Sequence, residues 1–109
     1  MTKIVHCVLF WFGEGVDLAR REAFEAGLRG LTASPWVDAV RIGRPAKQTP
    51  GKERAVVDDS YDYQLLIEFA DQAAADAYQD PSDAVHTAFI ERFKGDWARV
   101  RVYDSVEVG

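Results

Sequence analysis

The segment from Lys3 to Phe12 is apolar on both of its faces, and this restricts the possible folds more than any other feature. In a strand, successive side chains alternate between the two faces of the sheet. One face would carry Ile4, His6, Val8, Phe10 and Phe12, and the other Val5, Cys7, Leu9 and Trp11. A strand with two apolar faces has to be covered on both. The sequence therefore predicts a sheet that is buried on both sides.

The remaining pattern predicts the order strand, helix, strand, strand, one or two helices, strand. We expect the further strands at about 37–44, 61–69 and 97–106. The helices are expected at about 17–33, 71–79 and 82–94, the last capped by Ser82 or Asp83. With right-handed crossovers, this order gives an α+β fold in which a four-stranded sheet has helices on one face. Residues 1–109 are predicted to form a single domain, and the long loop at 45–60 is a candidate lid.

The second face of the predicted sheet has no helix left to cover it. Helices on one face would leave the second set of first-strand residues, from Val5 to Trp11, open to water. A contiguous exposed apolar patch of this kind marks a protein–protein interface, and a symmetric second copy is the simplest cover. We therefore expect a homodimer in which the two sheets pack face to face.

Charge and composition exclude several classes of partner. The 109 residues carry 18 acidic and 13 basic side chains, a net charge of −5, which argues against nucleic acid or an anionic membrane as partner. No apolar run approaches the roughly 18 residues of a membrane-spanning helix, and the N-terminus lacks a signal-peptide pattern. A single cysteine, Cys7, excludes an internal disulfide framework. We expect a cytoplasmic protein, because this cysteine usage fits a reducing compartment.

The chain has only two histidines, and both are predicted to face the space between helices and sheet. On the last helix, His86 lies within the apolar arc that contains Phe89 and Phe93, so it faces the sheet. His6 shares a strand face with Val8, and strand parity directs that face toward the helices. Two interpretations stay open: a functional pocket, or two separate core histidines that each bond a backbone carbonyl.

Tyr78 is a third candidate, because it ends the alanine-rich helix just before the turn at Pro81. Its phenol could reach the mouth of the same space, or its ring could pack at the core edge with the hydroxyl in water. Asp80 and Asp83 precede His86 without the spacing that converges on a metal, and helix capping explains them better. No nucleotide-binding fingerprint occurs. We therefore expect no metal and no cofactor.

Four stretches, taken in order along the chain, resemble one known family. They are residues 4–10, residues 61–69, the group Tyr78, Pro81, His86 and Phe89, and residues 97–104. The group in the middle resembles a Tyr…His-Pro-x-His-x-x-Phe signature. Over nearly its whole length the sequence resembles the stress-responsive α/β-barrel (Dabb) family of small dimeric proteins. The resemblance implies a ferredoxin-like four-stranded antiparallel sheet that forms a dimeric α+β barrel.

The resemblance also implies chemistry, because the family member olivetolic acid cyclase uses a Tyr–His pair to close a linear polyketide thioester by aldol condensation. Carried over by motif, His86 is a general base, Tyr78 orients its imidazole or polarises a carbonyl, and His6 binds substrate. The chain departs from the signature at Asp80, where a histidine is expected, and by three extra residues between Pro81 and His86. We expect a hydrophobic pocket lined by Phe10, Phe24, Leu28, Tyr63, Leu65, Ile67, Phe89 and Trp97.

Two functions remain open from the sequence. The first is a cofactor-independent cyclase or isomerase that uses histidine general-base chemistry on a hydrophobic aromatic or polyketide-like substrate. The alternative is a non-catalytic, stress-responsive dimer that binds a small hydrophobic ligand or is purely structural. A third interpretation, His86 as a haem ligand as in other dimeric α+β barrels, has no further support in the residues.

Overall fold

The strands and helices follow the predicted order. The computed structural model describes residues 2–109. Its strands are β1 (Ile4–Phe12), β2 (Ala39–Gly43), β3 (Tyr63–Phe69) and β4 (Trp97–Val106), and its α-helices are α1 (Leu18–Arg29), α2 (Gln72–Gln79) and α3 (Ala84–Phe93). The first helix is shorter than predicted, because the chain tightens into a 3-10 turn over Gly30–Ala33.

Each α-helix begins directly after an aspartate, as the capping preference of this residue predicts. The carboxylates of Asp17, Asp71 and Asp83 each accept a hydrogen bond from a backbone N–H of the first helical turn. These bonds satisfy N–H groups that have no partner within the helix. Within residues 2–109, no helix has the length and apolar character that crossing a membrane requires.

The four strands form one antiparallel sheet in the order β2-β3-β1-β4. The apolar strand β1 therefore lies inside the sheet, between β3 and β4. Its register places His6 opposite Ile67 of β3 on one side and opposite Asp104 of β4 on the other. The sheet order thus brings a histidine and a carboxylate together from opposite ends of the chain.

The two faces of β1 differ in burial as strand parity predicts. Ile4, His6, Val8 and Phe10 are buried beneath the helices, whereas Val5, Cys7, Leu9 and Trp11 on the opposite face are only partly buried. We call this opposite face the open face of the sheet. No helix within residues 2–109 packs on the open face, so its apolar side chains remain in contact with water in the single chain.

Strand β4 is exposed even on the side that faces the helices. Val100, Val102 and Val106 share a face with His6, yet 40–56% of each residue is accessible to solvent. The helices therefore cover β3 and β1 but leave the β4 edge uncovered. This gap in the helical layer is where the candidate site opens.

The core is an aromatic cluster centred on Phe24 of α1, which is 0% exposed. Its ring centroid lies 4.9–6.3 Å from those of Phe10, Phe12, Tyr63, Phe89, Phe93 and Trp97. Contacts at these separations stabilise a core beyond the burial of area alone. The cluster fixes α1 and α3 against the sheet and so fixes one wall of the candidate site.

The close approach of α1 to α3 depends on Gly27. A Cβ built on Gly27 would overlap the ring of Phe93, with the ring Cζ only 2.9 Å away. Phe93 is itself buried and packs against both Phe24 and Phe89, so a shift of its ring would disturb the aromatic cluster. The glycine therefore marks close helix packing.

The substitution Gly27→Ala should destabilise the protein by about 1–3 kcal/mol in urea unfolding, since overpacking outweighs the better helix propensity of alanine. The matched control is Gly30→Ala, because a Cβ at Gly30 meets nothing within 4 Å. That variant should be neutral or slightly stabilised. An unchanged Gly27→Ala midpoint would show that the Phe93 ring can move aside.

Candidate active site

His6, Tyr78 and His86 meet in the space between the helices and the sheet. The ring of Tyr78, at the end of α2, lies 4.3 Å from that of His86 on α3, with 31° between the planes. The His6 ring on β1 lies 6.4 Å from the Tyr78 ring in an edge-to-face arrangement. All three side chains line one cavity of about 190 Å³, which we call the inner cavity.

The inner cavity is mostly apolar, and four of the eight predicted lining residues border it: Phe10, Leu65, Phe89 and Trp97. Further apolar lining comes from Val8, Leu31, Ile90, Val100 and Val102. Among the residues that the structure describes, none from the 45–60 loop borders the cavity. That loop instead contacts the open face, where Ser60 Oγ accepts a hydrogen bond from Trp11 Nε1 at 3.1 Å.

The other four predicted lining residues pack elsewhere. Phe24, Leu28 and Ile67 are fully enclosed in the core, where neighbouring side chains fill the space around them. Tyr63 is also buried, and its hydroxyl donates a short hydrogen bond to the Glu25 carboxylate on another side of the molecule. Burial first, and then this bond, raises the pKa of Tyr63 to about 12. These four residues belong to the core cluster that packs against the residues lining the inner cavity.

His6 is paired with a carboxylate that we did not predict as a site residue. Its Nδ1 lies 2.5 Å from Oδ1 of Asp104 on the neighbouring strand β4. Because a carboxylate can only accept, the Nδ1–H of His6 is the donor in this contact, and in the neutral form of the ring Nε2 is then a hydrogen-bond acceptor. His6 is buried, whereas the Asp104 side chain is 58% exposed. The pair therefore spans the boundary between the interior and the uncovered β4 edge.

The sequence did contain a signal for Asp104. On β4 it shares a strand face with Val100 and Val102, and it is the one carboxylate on that face. The register that sets it beside His6 could not be obtained from the periodicity of either strand.

His86 is held in place by its helix cap. The Asp83 carboxylate accepts hydrogen bonds from the backbone N–H groups of Val85, at 2.9 Å, and His86, at 3.0 Å. Its second oxygen accepts a bond from Ser34 Oγ at 2.7 Å. Burial alone would raise the pKa of Asp83, but these hydrogen bonds outweigh burial and the pKa is lowered. A charged Asp83 therefore anchors the turn that carries His86.

Burial determines the protonation states of His86 and Tyr78, whose rings pack against each other near His6. It lowers the pKa of His86, against an opposing effect of the Asp83 carboxylate, while the nearby His6 lowers it further. Burial also raises the pKa of the Tyr78 phenol well above its usual range, and the Asp83 charge adds to this. At neutral pH the site therefore holds a neutral His86 imidazole and a protonated Tyr78 hydroxyl.

The lowered pKa of His86 predicts that the protein loses stability in mild acid. Below about pH 6.5 the unfolded chain binds a proton at this residue while the folded chain resists it, so the free energy of unfolding falls as pH falls. Urea unfolding of wild type and His86→Gln should show a steeper loss for wild type between pH 7 and pH 5. His6 and Asp83 are present in both proteins, so their contributions to the pH dependence of the free energy of unfolding largely cancel in the comparison. Parallel curves would contradict the burial of a neutral imidazole.

No three His, Cys, Asp or Glu side chains within residues 2–109 lie close enough to bind a metal ion jointly. The polar groups at the inner cavity include two imidazoles and a phenol, which are suited to accepting, donating and directing protons.

Comparison with known proteins agrees with the fold and with the sequence resemblance. The chain belongs to the stress-responsive A/B barrel domain family (Dabb), whose sequence profile matches residues 4–107. A Dabb-family protein with a ferredoxin-like fold from Mesorhizobium loti is similar over 100% of both chains, with 24% identity and a TM-score of 0.75. No functionally curated protein matches the sequence.

Two further solved structures share the fold. A hydroxynitrile lyase from Passiflora edulis has a TM-score of 0.78 at 13% identity, covering 97% of this chain and 94% of the lyase. A dimeric ferredoxin-like protein of unknown function from Thermobifida fusca has a TM-score of 0.75 at 20% identity, covering 97% of this chain and 92% of its own. Family and ferredoxin-like fold are thus as predicted, and at such identities the likeness concerns the fold alone.

Proposed function

We propose that this protein is a cofactor-independent general-base enzyme, a cyclase, isomerase or lyase, that acts on a small hydrophobic aromatic or polyketide-like substrate. The observation that carries the proposal is the convergence of His6, Tyr78 and His86 on one apolar cavity. Isolated core histidines need not share a cavity, and they need no carboxylate partner such as Asp104. Titratable groups with shifted pKa values that gather in a cavity favour a functional site.

In this proposal the proton acceptor is Nε2 of His6. The sequence-based prediction gave that role to His86, but burial opposes formation of an imidazolium there. At His6, the Asp104 carboxylate fixes the tautomer and stabilises the imidazolium that forms when the ring takes a proton. His86 remains neutral, packs on Tyr78 and orients the substrate beside it.

The proposed step transfers one proton and one electron pair. His6 removes a proton either from a carbon next to a carbonyl or from a hydroxyl. In the first case the electron pair of the C–H bond forms the enolate. In the second case the electron pair of the O–H bond forms the carbonyl. Tyr78 donates a hydrogen bond to the oxygen where charge develops. In the hydroxyl case the adjacent carbon–carbon bond breaks, and its electrons leave with the departing carbanion. One fold neighbour is named a hydroxynitrile lyase, so the fold can accommodate a reaction of this type.

The proposal is tested by offering the protein aryl ketones in deuterated water and aryl hydroxynitriles in buffer. We expect exchange of the ketone α-protons, or aldehyde release, above the buffer rate. Tyr78→Phe keeps the ring that packs on His86 and removes only the hydroxyl donor, and it should reduce the rate by about 10²-fold or more. Equal rates for wild type, Tyr78→Phe and buffer, in a protein that binds these compounds, would contradict catalysis.

That last outcome would favour the alternative function, a non-catalytic ligand-binding dimer. The observation on its side is the lining of the inner cavity, which is apolar apart from the site residues and Gln79. Such a cavity can hold a ring without any proton transfer. Binding with unchanged ligand, under conditions in which free imidazole promotes the reaction, would identify this function.

We also propose that two copies of the chain pair through the open face. The partly buried apolar side chains of β1 on this face need cover, and a fold neighbour is described as dimeric. Light scattering should give twice the chain mass of 12.2 kDa. Leu9→Asp should shift the protein to monomer, whereas Leu18→Asp, at a residue 71% exposed on α1, should not. A wild-type monomer would contradict this proposal.

A further inference from the structure

A second space adjoins the inner cavity and extends along the uncovered β4 edge. This space, which we call the outer groove, has a volume of about 410 Å³. It is bordered by α2 and by the end of β4, and three residues line both spaces: His6, Gln79 and Val102. The buried His6 ring therefore stands at the boundary between the two.

The volumes show that the inner cavity is too small to hold a complete substrate of ordinary size. An enclosed apolar cavity of about 150 Å³ holds a single benzene ring, so the inner cavity, at about 190 Å³, has room for one ring with a small substituent. Pockets for small ligands usually span about 300–1,000 Å³. The outer groove reaches that range on its own, at about 410 Å³, but Tyr78 and His86 line the inner cavity and not the groove. A molecule of that size that contacts His6, Tyr78 and His86 together therefore has parts on both sides of His6.

The two spaces differ in chemistry. The inner cavity is lined mainly by aromatic and aliphatic side chains, whereas the outer groove presents Gln72, Asp76, Gln79, Asp104 and Ser105. Among the residues that the structure describes, no lysine or arginine lines the groove. Two carboxylates and several amide or hydroxyl groups favour neutral or cationic hydrogen-bond donors and oppose an anion.

We propose that the substrate is amphipathic: a single ring or short aliphatic group enters the inner cavity, and a neutral or cationic polar portion lies in the outer groove. The reacting atom lies at the boundary, beside His6. Molecules whose polar portion is a carboxylate or a phosphate are excluded by Asp76 and Asp104. Asp76 is thereby a specificity residue, away from the reacting atoms. This inference rests on the proposed function, because it concerns the same site.

The test uses three probes that share one phenyl ring and differ in the charge of the other end: phenethyl alcohol, phenethylamine and phenylacetate. NMR titration gives each dissociation constant, with the Trp97 indole reporting the inner cavity and the Gln72 and Gln79 side-chain amides reporting the groove. We expect the alcohol and the amine to shift both sets of signals. Phenylacetate should bind at least about tenfold more weakly.

The variant Asp76→Asn should reduce the preference for phenethylamine over phenylacetate by about threefold to tenfold and leave phenethyl alcohol unchanged. The amide oxygen of the substituted side chain can still accept the hydrogen bond that Gln72 Nε2 donates to Asp76 at 2.8 Å. The control Glu22→Gln makes the same change in net charge at an exposed residue that lines neither space, and the preference should be unaffected.

Equal binding of phenylacetate and phenethylamine, or an unchanged preference in Asp76→Asn, would overturn the inference while leaving proton transfer at His6 intact. The protein could instead prefer phenethylamine over phenylacetate as expected but show no proton transfer in the ketone and hydroxynitrile assays. That result would contradict the proposed catalysis and still support binding of an amphipathic ligand. If none of the three probes shifts the Trp97 or Gln79 signals, both are overturned.

Discussion

Replacing His6 with asparagine should lower the turnover number by about 10²–10⁴-fold, the usual contribution of a general base. Asparagine is close to imidazole in size and keeps a polar group beside Asp104, so the loss would reflect proton transfer and not a collapsed cavity. The rate of exchange or cleavage measures the effect, with circular dichroism and the urea midpoint confirming that the variant is folded. A loss of less than about threefold would show that a group other than His6 accepts the proton.

Asp104 acts through His6, so its test needs a readout that a structural role would not change. Asp104→Asn removes the negative charge beside Nδ1 and should reduce turnover by about tenfold or more, with little change in the Michaelis constant. The loss is expected to be smaller than for a buried dyad, because the Asp104 side chain is 58% exposed and its charge is screened. A rise in the Michaelis constant alone would assign Asp104 to substrate binding.

Replacing Phe24 with alanine should remove about 3–5 kcal/mol from the free energy of unfolding. Phe24 is 0% exposed and contacts six other aromatic rings, so neither the backbone nor one neighbour can fill the space it leaves. Because small domains are stable by only about 5–15 kcal/mol, this single change would remove a large part of the total.

Urea unfolding measures the Phe24 effect against Leu18→Ala on the same helix. Leu18 is 71% exposed, and its substitution should cost less than about 0.5 kcal/mol. A loss below about 1 kcal/mol for Phe24→Ala would mean that the cluster relaxes and that the wall behind the inner cavity is not rigid.

The fold could be predicted because its main determinant is local. The parity of β1 separates the His6 side from the Val5 side in the sequence itself, and the structure buries the first and leaves the second partly open. The helix starts could also be predicted, because each capping aspartate accepts a hydrogen bond from the turn that directly follows it. The 3-10 turn over Gly30–Ala33 was not predicted, because Leu28 and Leu31 continue the helical spacing through this segment.

The candidate site could be predicted only in part. Periodicity identifies which side chains face the interior, and it directed His6 and His86 to one space. It left Tyr78 with two positions, at the mouth of that space or at the core edge with its hydroxyl in water. It cannot distinguish a side chain that borders an unfilled space, such as Phe89, from one that neighbours enclose, such as Phe24. That difference depends on how far the helices extend over the sheet. Asp104 required the β1–β4 register, which pairs residues 98 positions apart.

If His6, Tyr78 and His86 form one site for one small molecule, an NMR titration with phenethyl alcohol should show all three side chains responding to the same binding event. The chain has only two histidines, and the spectrum of His6→Asn assigns their ring signals. We expect the ring protons of His6, His86 and Tyr78 all to shift with a single dissociation constant. Two different constants, or a shift at only one histidine, would contradict it.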